Sequence, residues 1–97
     1  MPASIYRNRL FYGGPTYSYI MLLRSALLFV QHKPALVEVI TEALRSYDAK
    51  EDAPHEFVFK NLWHGEVWDA LSDLAMYDCY FGWNRQTGQL GWWVAEQ

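Results

Sequence analysis

A single thiol, three imidazoles and eleven carboxylates are the groups in this chain most able to do chemistry. Cys79, paired with His32, His55 or His64, could in principle act as a nucleophile beside a base. Nothing local activates it, because the adjacent Asp78 raises a thiol pKa rather than lowering it. Strand alternation would also turn Cys79 inward, where a lone cysteine serves as a small core residue. A metal reading fails on spacing. His64 and Glu66 are two residues apart, about 200° around a helix, and no H-x-x-x-H, H-E-x-x-H or C-x-x-C pattern occurs. No catalytic residue, no metal ligand and no cofactor is therefore expected, and the chain is not expected to be an enzyme.

Binding chemistry is better represented. Glu66, Asp69 and Asp73 recur at i, i+3 and i+7, one face of a helix, and form an anionic strip suited to a basic surface on a partner. In its strong form such a strip imitates nucleic-acid phosphates. The bland alternative is a solvated helix face, and a net charge of −3 is small for mimicry. Arg7 and Arg9 stand beside Tyr6, Phe11 and Tyr12, the composition of a strand that stacks bases and pairs phosphates. The acidic net charge and the lack of a second basic footprint argue against nucleic acid. Tyr80, Trp83 and Trp93 are candidates for exposed aromatic anchors, the residue types that dominate protein interfaces.

The elements that must position these groups follow from hydrophobic period. The chain is organised around residues 15–31, PTYSYIMLLRSALLFVQ, apolar on nearly every side of a helix. A span needs about 20 apolar residues, and Arg24 and Ser25 divide this run, so a buried core helix is expected and no membrane segment. Pro15 or Thr16 would cap it. Arg24 within it requires a carboxylate, with Glu66, Asp69 or Glu42 as candidates, or a stem that reaches solvent.

Residues 4–12 alternate as a strand closed by Gly13 and Gly14. Residues 34–47 are an amphipathic helix carrying Leu36, Val37, Ile40, Ala43, Leu44 and Tyr47 on one face. It should pair antiparallel with the first helix through the link at His32, Lys33 and Pro34. A charged loop covers 48–54, and HEFVF at 55–59 reads as a short strand. Asn61 would cap a third helix reaching about Tyr77, unless Gly65 marks its start, with Trp63, Val67, Leu71, Leu74 and Ala75 inward. Residues 79–94 form a β-hairpin around NRQTG, where Asn84 opens the turn and Gly88 supplies positive φ. The order is β-α-α-β-α-β-β, an α+β fold. It predicts an antiparallel sheet of three or four strands with helices packed on one face.

If Leu90, Trp92 and Val94 face the helices, Trp93 faces out, with Tyr80, onto a sheet face the helices leave uncovered. A terminal segment or a second copy of the chain, as a homodimer, are alternative covers for that face.

Ninety-seven residues make one domain. The chain is 52% hydrophobic, and its 18% aromatic share, with five Trp, seven Tyr and five Phe, exceeds what so small a core can hide completely. Residues 1–37 carry a balance of +4 and residues 38–97 one of −7. Such asymmetry marks either an electrostatic partner or two halves that cancel against each other. One cysteine excludes an internal disulfide and suits a reducing cytoplasm, and the N-terminus lacks the apolar core of a secretory signal.

In size, acidity and aromatic content the chain resembles, as a type, the inhibitors encoded by phages and mobile elements, anti-CRISPR proteins among them. That resemblance implies a small non-enzymatic protein-binding module that blocks its target by occlusion. The alternatives are a nucleic-acid-binding accessory protein using Arg7 and Arg9, and a small dimeric ligand-binding or enzymatic protein.

Overall fold

The computed structural model describes residues 6–14, 18–50 and 55–95. The expected caps Pro15 and Thr16, the first residues of the N-terminal strand and most of the charged loop lie outside them. The elements are β1 (Arg9–Tyr12), α1 (Tyr19–Ala26), α2 (Pro34–Asp48), α3 (His55–Leu62), a π-helical segment (Trp63–Val67), α4 (Trp68–Ser72), β2 (Cys79–Trp83) and β3 (Leu90–Val94). The strands form an antiparallel sheet in the order β1-β3-β2, with the helices on one face. The fold is α+β, as the hydrophobic pattern predicts.

Trp92 is the centre of the core. It is fully buried, and its indole N–H donates to the Leu71 carbonyl at 2.7 Å, tying β3 to the end of α4. Around it stand Tyr6 at 4.5 Å, Phe29 and Phe81 at 5.0 Å and Phe11 at 5.9 Å between ring centroids. Tilted and edge-on pairs of this kind add about 0.5–1.5 kcal/mol each beyond the area they bury. Leu22, Leu23, Ile40, Val67 and Leu71 complete the interior from the helical side.

Three expectations about the helices are corrected. The 15–31 helix is cut short: α1 begins after Ser18, whose hydroxyl accepts the Met21 N–H, and ends at Ala26. The Ala26 carbonyl then accepts from both Phe29 and Val30, which tightens the chain into a turn. That turn brings Phe29 against Phe11 and Trp92 and leaves Leu28 78% exposed, so the run is not buried all round. Residues 55–59, read as a strand, are the first turns of α3. Phe59 lies four residues before Trp63 and eight before Val67, and all three are buried on one helical stripe. Asn61 caps nothing, because it lies inside α3, while Gly65 does mark a break: its backbone is non-helical and kinks the run between α3 and α4. Gly65 (φ −111°, ψ −105°) sits in a π-helical turn, where the Trp68 N–H reaches back to the Trp63 carbonyl.

The charge asymmetry between the halves is partly paired internally. Arg7–Asp78 (3.2 Å), Arg24–Asp48 (2.6 Å) and Lys33–Asp73 (3.8 Å) each join a cation of the first 37 residues to an acid of the remainder. Arg24 thus takes Asp48 at the end of α2, and none of the three acids proposed for it. These pairs are exposed and contribute about 0–1 kcal/mol each. Among the described residues, no helix is long and apolar enough to cross a membrane.

Candidate functional site

The site is built on the β2–β3 hairpin. Its turn follows the local chemistry of its residues. The Asn84 Oδ1 accepts the N–H groups of Gln86 (2.8 Å) and Thr87 (3.1 Å), and Gly88 adopts φ +72°. The turn sets the register Phe81↔Trp92 and Tyr80↔Trp93. Direct partners share a face and neighbours alternate, so Phe81 and Trp92 enter the core while Tyr80 and Trp93 lie on the outer face.

Two glycines let these outer rings lie down. A Cβ on Gly91 would meet Trp93 Cζ2 at 2.8 Å, and one on Gly82 would meet the Tyr80 ring at 3.2 Å. Each aromatic therefore covers the backbone of a glycine two residues along its own strand. The Trp93 indole N–H is shared between the carbonyls of Gly82 (3.0 Å) and Gln89 (3.2 Å), which fixes the ring in place. Its polar edge is thereby spent on the backbone and its π face is what remains to offer.

Beside this platform opens a cavity of about 350 Å³. Tyr80, Trp83, Trp93 and Val94 supply its apolar walls, with Arg85 and Gln86 on the turn side. Tyr80 and Trp83 are 38% and 39% exposed. Leu10, paired with Gly91 and exposed, extends the apolar surface onto β1. No protein-family model, characterised protein or solved structure matches this chain. The site is therefore read from its own geometry.

The three aromatics named from the sequence come together here, and the acids do not join them. Asp73 pairs with Lys33, while Glu66 and Asp69 line a separate shallow cavity with Lys33, Pro34, Leu36 and Ala70 on the helical side. Arg7 and Arg9 are both engaged within the fold. Arg7 pairs with Asp78, and the Arg9 guanidinium lies 5.2 Å and 5.4 Å from the ring centroids of Tyr6 and Phe29.

The groups weighed for catalysis make other contacts, and the His55 side chain lies outside the described residues. Cys79 is half-buried and donates to Asp78 at 3.3 Å. Burial first, and then the Asp78 carboxylate, push its thiol pKa up. His64 Nε2 lies 3.2 Å from the Tyr19 hydroxyl, and His32 is exposed. Among the described residues, no three His, Cys, Asp or Glu side chains gather to hold a metal ion.

Sequence reasoning missed Gly82, Gly91 and Arg85. The first two carried a readable signal, since Tyr80-x-Gly82 and Gly91-x-Trp93 place a glycine two residues from an aromatic in both strands. Period-two alternation puts each glycine beneath its ring.

Proposed function

We propose that this chain is a non-enzymatic module that binds another protein through the outer face of its sheet and blocks that protein by occlusion. The observation that carries the reading is the pre-set aromatic platform of Tyr80 and Trp93, with Trp83, paired with Leu90 at the end of β2, lining the same cavity. Rigid, partly exposed aromatics are the usual hot spots of protein interfaces. A ring already fixed by its own hydrogen bonds loses little freedom on binding. Occlusion needs no catalytic group, which is how phage-encoded anti-defence inhibitors of this size would act. A single thiol suits a cytoplasmic setting. A basic surface on the partner would be drawn by Glu66 and Asp69 on the helical side, an effect on association rate more than on residence time.

The reading is tested by capture from a lysate of the source cells with tagged wild-type protein and two double variants. Tyr80→Ala with Trp83→Ala should lose the captured protein, whereas Glu66→Gln with Asp69→Asn should retain it. Capture that survives the first pair, in a protein shown by light scattering to be monomeric, would overturn the assignment. A stable dimer with Trp93 shielded from acrylamide would give the face to a second copy instead.

A further inference from the structure

We infer that the cavity between Tyr80, Trp83, Trp93 and Arg85 is a recognition pocket for an aromatic side chain flanked by carboxylates on an extended segment of a partner protein. The inference rests on the protein-binding reading above and specifies what the pocket accepts. Two observations carry it. The first is the shape and polarity of the walls. Trp93 has spent its N–H on the Gly82 and Gln89 carbonyls and presents a ring face, and Tyr80 lies beside it over Gly82. A flat ring stacked or set edge-on against them gains the most from such walls. The volume of about 350 Å³ accommodates one aromatic side chain with part of its backbone.

The second observation is charge. Arg7, Arg24 and Arg45 each hold a carboxylate, and Arg9 lies over two rings. Arg85 alone of the five arginines has neither kind of partner among the described residues, and it is the one charged residue in the described lining of this cavity. An arginine that holds no carboxylate or ring among the described residues, beside an aromatic wall, suits a carboxylate arriving with the ring, which it can grip with two parallel N–H bonds. A cationic ligand would meet Arg85 without a compensating acid in that lining. The turn that carries Arg85 is stiffened by the Asn84 side chain, which fixes the backbone from which Arg85 lines the cavity.

The test uses 15N-labelled full-length protein and follows the indole N–H resonances of Trp83 and Trp93. The probes are Glu-Phe-Glu and Lys-Phe-Lys tripeptides blocked at both ends, phenylacetate, and a hexathymidylate. The acidic tripeptide should shift both resonances saturably at low-millimolar concentration, and Arg85→Gln should weaken it about fivefold, the scale of one exposed charge pair. The Lys-Phe-Lys peptide should bind more weakly than the acidic one and be unaffected or improved by Arg85→Gln. Tyr80→Leu, which keeps the turn intact, should weaken every aromatic probe.

Several results overturn the inference: no saturable shift with the acidic tripeptide, equal or tighter binding of the lysine peptide, or insensitivity to Arg85→Gln. Phenylacetate binding as tightly as the acidic tripeptide would make the ligand a free aromatic acid, and tighter binding of hexathymidylate would make it nucleic acid. Either result overturns the peptide assignment. Should the tripeptide fail while the Tyr80–Trp83 double variant still loses its captured protein, the binding-module reading stands and the ligand assignment falls.

Discussion

Trp92 donates its indole N–H to the carbonyl of Leu71, 21 residues earlier, at 2.7 Å inside the core. This bond fastens the central strand to the last turn of α4, and a phenyl ring cannot make it. Trp92→Phe should destabilise the protein by about 2–3 kcal/mol, from the lost bond together with the space left behind. Urea unfolding followed by far-UV circular dichroism would measure it, and a loss under about 0.5 kcal/mol would show that the bond contributes little.

Of the two sheet glycines, Gly91 leaves the less room for a Cβ. An added Cβ would stand 2.3 Å from the Arg9 carbonyl oxygen and 2.8 Å from Trp93 Cζ2. Gly91→Ala should therefore cost more than about 2 kcal/mol by separating β1 from β3. Gly82→Ala meets only the Tyr80 ring at 3.2 Å, which can swing aside, and should cost less than about 1 kcal/mol while lifting that ring from the platform. Denaturation midpoints and aromatic chemical shifts of the two variants would separate the effects.

Within and just after α1, exposure decides the outcome of an acid. Leu23 is fully buried, so Leu23→Asp should destabilise by more than about 3 kcal/mol through an unpaired interior charge. Leu28, on the turn beyond the helix, is 78% exposed, and Leu28→Asp should change stability by no more than about 0.5 kcal/mol. Near-UV circular dichroism would show the first variant unfolded and the second native.

Cys79 should be a sluggish nucleophile. Burial and the Asp78 carboxylate raise its thiol pKa, so the thiolate forms only at higher pH than in an open peptide. Iodoacetamide should label the folded protein more slowly than the unfolded chain near neutrality. Asp78→Asn should speed the labelling by removing one of the groups that raise the pKa. The raised folded pKa favours the protonated thiol, so its contribution to stability is complete below the unfolded pKa. That contribution is lost as pH climbs through the folded value. Cys79→Ser should leave partner capture intact, and loss of capture in a folded Ser variant would return the thiol to the functional site.

Several features were legible because short-range chemistry decides them. The hairpin turn follows from the Asn84 side chain and the positive φ open to Gly88. The burial of Leu36, Ile40 and Leu44 follows from helical period, and the opposite facings of Trp92 and Trp93 follow from strand period. Gly82 and Gly91 were legible in the same way, since alternation alone places each beneath an aromatic two residues away.

What tertiary structure decided is whatever depended on residues far apart in the chain. HEFVF has strand propensity but becomes helix, because only a helix lines up Phe59 with Trp63 and Val67 on one buried stripe. The apolar run after Ala26 turns instead of continuing, because Phe29 packs on Trp92 from 63 residues away. Arg24 found Asp48, and Glu66 and Asp69 were set on the helical side, away from the hairpin. Sequence by itself determined which groups could stack, pair or cap, since those are properties of each side chain and its near neighbours. Which of them meet, and which arginine is left facing the aromatic pocket, came only with the packing. Long-range contacts are chosen by the shape of the whole core, and a local pattern carries no information about that shape.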